Sequence, residues 1–131
     1  MSDRIVVDTD VVSYAYKGDS RFLLFAALLN RHELYVSFVT VAELYYWALS
    51  RNWGQWAQND LSRTIRTNYV YVGADSELCR LWATIRDARK RLGREMPEQD
   101  AWIAATAIQL DAPLATNNRA DFMDIPGLRL V

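Results

Sequence analysis

The sequence predicts an α/β fold, with helices covering a mainly parallel sheet of about five strands. Two observations carry that expectation. Short apolar, β-branched runs alternate with helical periodicities along the chain, the pattern of strand–helix–strand units. The first of those runs, Ile5 to Val7, shows no polar alternation, as expected for a strand covered on both faces. At 131 residues the chain is expected to form one domain, residues 1–131, long enough to bury about two thirds of its unfolded surface in a single core.

The elements run in order. Residues 4–7 form the first strand. "SYAYKG" (13–18) and "RFLLFAALLN" (21–30) give two helices, the second apolar all round. "LYVS" (34–37) is the second strand. "VTVAELYYWALSR" (39–51) is helical, with Val41, Leu44, Tyr45 and Ala48 on one stripe, and "QWAQNDLSRTIR" (55–66) carries Trp56, Leu61 and Ile65 at looser helical spacing. "YVYV" (69–72) is the third strand. "DSELCRLWATIRDARKRLG" (75–93) is a long amphipathic helix with Leu78, Leu81, Trp82, Ile85 and Ala88 inward and Gly93 as a left-handed end. "PEQDAWIAATAIQLD" (97–111) is another, with Pro97 in its first turn. "PLAT" (113–116) and "LRLV" (128–131) supply strands four and five.

Composition narrows the chemistry. One cysteine, Cys79, and one histidine, His32, offer neither an internal disulfide nor a zinc-ligand set. No basic-plus-apolar leader is visible, and the longest low-charge run, 101–110, is half a membrane span, so a cytoplasmic protein is expected. The net charge of −1 conceals 13 Arg against 2 Lys, concentrated in "RDARKRLGR" (86–94). Arg pairs with phosphate through two parallel hydrogen bonds. The same run also reads as a solvated helix face.

Four carboxylates occupy comparable places. Asp8 follows strand one, Glu43 and Asp100 lie in the first turns of their helices, and Asp121 follows strand four. Strand ends and the starts of following helices share one edge of a parallel sheet, so the four are expected to converge. Each has a local alternative. Asp8 or Asp10 could cap a helix; "TVAE" (40–43) matches a capping box; Asp100 suits a helix dipole, for about 0.3 to 1 kcal/mol; Asp121 could end a turn. Jointly these weaken, because two such charges about 4 Å apart repel by up to roughly 4 kcal/mol at an effective dielectric near 20. A divalent cation is the economical remedy, and all-oxygen ligands select Mg²⁺ or Mn²⁺. Such ions activate water for phosphodiester hydrolysis.

The stretches "VVDTDVVSYAYKGD", "VTVAELYYW", "DAWIAATAIQL" and "LATNNRADFMDIPGLRLV" together resemble PIN-domain ribonucleases, most closely the VapC toxins of bacterial toxin–antitoxin pairs. The resemblance spans essentially the whole chain. It implies a three-layer α/β/α sandwich, with Asp8, Glu43, Asp100 and Asp121 binding Mg²⁺ or Mn²⁺ and hydrolysis of RNA leaving a 5′-phosphate and a 3′-hydroxyl. Thr116 and Asn118 then look like groups behind the metal ligands or beside the phosphate, and Thr9, Asp10 and Ser13 flank the first acid. Two departures stand out: Glu98 and Gln99, where a small or hydrophobic residue is commoner near Gln99, and Asn117, where Arg is often found. The resemblance also implies a homodimer and a small antitoxin partner in a hydrophobic groove, for which Leu44 to Trp47, Trp53 and Trp56 are suited as aromatic anchors. Those residues equally fit an ordinary core.

Two other classes compete. "DTD" after a strand matches phosphohydrolases of the haloacid dehalogenase kind, with Asp8 as nucleophile; that chemistry needs a lysine, and only Lys17 and Lys90 exist. A non-catalytic binding module would use the acids as caps and the Arg-rich helix as a docking surface.

Overall fold

The structure is a computed structural model that describes residues 3–131. The chain runs β1 (Arg4–Val7), α1 (Thr9–Lys17), a 3-10 turn (Ser20–Leu24), α2 (Ala26–Leu29), β2 (Glu33–Ser37), α3 (Phe38–Ser50), α4 (Gln55–Asn68), β3 (Val70–Val72), α5 (Ser76–Arg91), α6 (Glu98–Leu110), β4 (Leu114–Ala115) and a second 3-10 turn (Arg119–Phe122). The strands form one parallel sheet in the order β3-β2-β1-β4.

β1 is central, and its pleat explains the layers. Ile5 and Val7 pack with Val11, Leu44, Leu61 and Ile65 of α1, α3 and α4, whereas Val6 packs with Leu78, Ile85, Ala101 and Ala104 of α5 and α6. Successive side chains of a strand face opposite sides, so one three-residue apolar run anchors both helical layers. α6 is hidden through an alanine-rich surface, Ala101, Ala104, Ala105 and Ala107, each fully buried.

Among the described residues the sheet has four strands, not five. Leu130 makes a single parallel bridge to Leu114, secured by Leu114 N–H to Arg129 O at 2.8 Å and Val131 N–H to Leu114 O at 3.0 Å. β4 is only two residues long, so it offers little ladder to pair with. Asp124 and Gly127, both at positive φ, bend the approach to the "LRLV" segment.

The apolar 21–30 segment is likewise not one helix. Asp19 caps the 3-10 turn through Arg21 N–H at 2.9 Å, Phe25 at φ −113° is the junction that ends that turn and precedes the next helix, and only Ala26–Leu29 is α-helical. Leu23 and Leu24 stay exposed at 76% and 77%, so all-round apolarity there does not mean burial. α1 starts four residues earlier than "SYAYKG" implies, because Asp8 caps it, and it ends at Gly18 in the left-handed conformation. α5 ends as the sequence indicates, with Gly93 at φ 70° donating to Lys90 O at 2.9 Å. Pro97 stands one residue before α6, at its cap position, not inside the first turn.

Candidate active site

The carboxyl edge of the sheet is built where β1, β2 and β4 hand over to the segments after them. Asp8 is the cap of α1 and is buried, 7% exposed. Its Oδ1 accepts from Thr9 N–H at 2.7 Å, and its Oδ2 accepts from the Thr116 hydroxyl at 2.7 Å. The Thr116 oxygen in turn accepts from Asn118 N–H at 3.0 Å, and Asn118 donates its side-chain amide to Asp121. The segment after β4 is thereby tied to Asp8 at one end and Asp121 at the other. Asp10 accepts from Val11 N–H at 2.7 Å and Asn117 N–H at 3.2 Å, while the Asn117 amide donates to Tyr14 Oη at 3.3 Å.

Glu43 corrects its sequence reading. α3 begins at Phe38 with Ser37 as cap, accepting from Val39 N–H at 3.2 Å, so Glu43 lies in the second turn and Thr40 is not a cap. Ser37 takes that role because β2 runs directly into α3. Glu43 accepts instead from the Thr9 hydroxyl at 2.7 Å, and the Thr40 hydroxyl stands 2.9 Å from that Thr9 oxygen. Thr9 thus links the first turn of α1 to α3 across 34 residues. Thr40, fully buried, is a supporting residue that the sequence pattern concealed behind its capping-box match.

Asp100 lies in the first turn of α6 and is half-buried. Burial and then the charges of Asp121, Glu43 and Asp10 push its carboxyl up to about 6. Burial, then the charge of Asp10 and last that of Asp100, drive Asp8 up to about 7 against the opposing hydrogen bonds from Thr116 and Thr9. Burial raises Asp10 as well. Asp8, Asp10, Glu43, Asp100 and Asp121 therefore share one electrostatic neighbourhood. Among the described residues, none of the expected quartet makes an ion pair. Nor do any three acidic, histidine or cysteine side chains there stand in a geometry that would hold an ion as they are. Mutually repelling carboxylates have no reason to close upon a point without a cation between them.

The donor set is wholly oxygen and its charge uncompensated, which fits a hard divalent cation. Neither of the two nitrogen or sulfur candidates joins it: His32 Nδ1 is engaged with Leu28 O at 2.8 Å, and Cys79 is exposed on α5. The phosphohydrolase alternative loses its lysine. Lys17 is eight residues from Thr9 along α1, about 12 Å away, with its ammonium over the Trp47 ring at 5.4 Å, and Lys90 lines a separate groove on α5. Ser13 makes no hydrogen bond to the acids among the described residues, and Gln99 lines a cleft of about 440 Å³ with Phe38, Val39, Ala42, Glu43 and Tyr46.

The aromatic segment expected to form a partner groove is divided. Leu44 is buried, and Trp47 and Trp53 pack on the core with ring centroids 4.8 Å apart. Tyr45, Tyr46 and Trp56 are exposed at 39%, 74% and 78%.

The PIN domain family model matches residues 5–128. Ribonuclease VapC1 of Haemophilus influenzae (strain R2866) is 30% identical over 127 residues, covering 95% of this chain and 93% of its own. Two solved structures share the fold. VapBC-1 from nontypeable Haemophilus influenzae has a TM-score of 0.86 at 23% identity over 98% of this chain and 96% of that one. VapBC2 from Rickettsia felis, bound to a DNA fragment from their promoter, has a TM-score of 0.82 at 22% identity over 98% and 97%. A family match of this extent, on a chain whose sheet edge gathers the acids into one neighbourhood, shows that the protein belongs to the PIN-domain family.

Proposed function

We propose that the protein is a Mg²⁺- or Mn²⁺-dependent endoribonuclease that leaves 5′-phosphate and 3′-hydroxyl ends and serves as the toxin of a toxin–antitoxin pair. The observation that carries this reading is the cluster of unpaired acids in which Asp8 and Asp100 are raised to about 7 and about 6. Kinship with a protein named ribonuclease VapC1 supplies the substrate class.

Asp8, Glu43, Asp100 and Asp121 would hold the cation. When bound, it would polarise the phosphoryl oxygens and lower the pKa of water for in-line attack. The other residues do their part through fixed hydrogen bonds. Thr9 aims the Glu43 carboxylate, Thr116 locks Asp8, and Asn118 steadies Asp121. Asp10 holds the backbone of Asn117, fixing the loop after β4 against α1. Oriented ligands of this kind matter because removing such a hydrogen bond typically costs about 10- to 100-fold in metal affinity or activity.

The toxin reading includes a small antitoxin, homodimer formation and a cytoplasmic location. For the antitoxin, the support is a cleft of about 340 Å³ between α3 and α4, lined by Tyr45, Ala48, Leu49, Gln55, Gln58, Asn59, Leu61 and Ser62, with Trp56 exposed on α4. Aromatic anchors on an exposed surface are what interface hot spots favour. For the location, no helix among the described residues is long and apolar enough to cross a membrane.

The test is cleavage of RNA by the purified protein with Mg²⁺, with Mn²⁺ and with chelator, followed by mapping of the new 5′ ends. Cleavage is expected only with metal, and Asp8→Asn or Asp100→Asn is expected to abolish it while the fold persists. Wild-type cutting by both variants would overturn the assignment.

A further inference from the structure

Two grooves flank the start of α6, and they differ in character. On one side is the cleft of Phe38, Glu43, Tyr46 and Gln99. Tyr46 follows Glu43 by three residues on α3, hence on the same helix face, and is 74% exposed. On the other side is a groove of about 320 Å³ whose lining includes Trp82, Arg86, Lys90, Asp87 and Glu95. An aromatic tier joins the two. Trp82 Nε1 donates to Glu98 O at 3.2 Å, two residues before Asp100; Trp82 stacks on Trp102 at 4.8 Å; Trp102 meets Phe38 edge-on at 5.3 Å.

The basic segment 86–94 is divided by the fold. Arg89 is buried, donating to Arg94 O and Met123 O at 3.2 and 3.0 Å. Arg91 pairs with Asp87 at 2.8 Å and Arg94 with Asp124 at 3.0 Å. Arg86 and Lys90 have no carboxylate partner among the described residues. Arg86 lies over the Trp82 ring at 5.2 Å, a contact that holds its guanidinium in the groove. With Asp87 already paired to Arg91, the groove's remaining charges are two cations against Glu95.

We propose that a single-stranded RNA substrate crosses the start of α6 with its scissile phosphate at the acids, one base stacked on Tyr46, and neighbouring phosphates held by Arg86 and Lys90. This rests on the ribonuclease reading and adds the path of the strand. An exposed tyrosine beside the acids and a pair of uncommitted cations beyond them are the two parts that sequence-tolerant single-strand binding uses, stacking platforms and a positively charged groove. The cations are needed because the acids alone would repel the approaching backbone. Single-stranded RNA suits an open surface better than a duplex, since unstacked bases are free to reach a tyrosine.

The experiment is fluorescence-anisotropy binding of a labelled unstructured RNA oligonucleotide to the Asp100→Asn protein, kept in chelator so that the strand stays intact, across a series of KCl concentrations. The double substitution Arg86→Gln and Lys90→Gln keeps the aliphatic stems. It is expected to lower the magnitude of the slope of log affinity against log salt by about 1.4, the value for two single-strand phosphate contacts. Tyr46→Ala is expected to weaken binding about 5- to 100-fold and Tyr46→Phe to restore it. The double substitution Arg63→Gln and Arg66→Gln, on α4 in the opposite layer, removes the same two charges and serves as the control. An unchanged salt slope in the double variant, or a Tyr46→Ala protein that binds like its parent, overturns the path and leaves that surface to a protein partner. Binding is read separately from cutting. A wild-type protein that binds RNA in this manner but never cleaves it supports the path and sinks the ribonuclease reading; one that cleaves with metal and ignores these substitutions does the reverse.

Discussion

At Asp8, folding and chemistry pull in opposite directions. The side chain caps α1 and is locked by Thr116, yet burial beside Asp10 and Asp100 raises it to about 7, so its ionised form is uncomfortable without a counter-charge. Replacing it with asparagine removes that discomfort and leaves a group able to cap. Asp8→Asn is therefore expected to raise the melting temperature of the metal-free protein near pH 8 while abolishing RNA cleavage; a lowered melting temperature would show that capping geometry, not charge, dominates there. Thr9 gives a complementary case. Its hydroxyl is the group that aims Glu43, and Thr9→Val deletes it at constant shape. Mn²⁺ affinity measured calorimetrically is expected to fall about 10- to 100-fold, with Thr9→Ser close to wild type. The sequence exposed the acids readily, because each stands at a strand end or near a helix start. It set Thr9 beside Asp8 and read Thr40 as a cap, and it missed their link to Glu43, because a hydroxyl reaching a carboxylate 34 residues away is a tertiary contact that leaves no periodic trace.

At the level of elements, long and strongly periodic segments were legible and short ones were not. α5 and α6 fall within a residue or two of their expected bounds, since Leu78 and Ile85 recur at helical spacing and Gly93 supplies the left-handed end. Phe25 splits what reads as one helix, and the fifth strand shrinks to the Leu114–Leu130 bridge. Both failures occur where local turn geometry overrides apolar composition. Arg89 shows the same limit. In sequence it is one more member of a basic run; in the fold it is 9% exposed and pins the Met123 carbonyl and the end of α5 together. Arg89→Ala is expected to destabilise by about 2 to 4 kcal/mol through lost packing and two carbonyls deprived of a charged donor. Urea denaturation is the measurement, and a change below about 0.5 kcal/mol would class Arg89 with the solvated surface.

Across the whole molecule, the acid edge makes stability depend on pH in a definite direction. Asp8 and Asp100 have folded values of about 7 and about 6, both above the ordinary carboxylate value of 3.8. Between about pH 4 and pH 7 the native state accordingly holds protons that the unfolded chain has already lost, so stability falls as pH rises through that window. A divalent cation bound there would replace those protons, and its contribution would grow over the same range, because the ligands have to be deprotonated to hold it. Thermal unfolding with chelator is thus expected to show a melting temperature that declines from about pH 5 to about pH 8. With Mn²⁺ in excess the curve should flatten or rise, the gap being widest at the alkaline end, as ligand binding to the native state alone requires. In the Asp8→Asn and Asp100→Asn double variant the gap should disappear and the decline should shrink to what Asp10, itself raised by burial, contributes. A metal-free protein whose stability instead climbed steadily over this interval would mean that its carboxylates are better accommodated ionised than protonated, and the sheet edge would then lack the unmet negative charge on which cation binding depends.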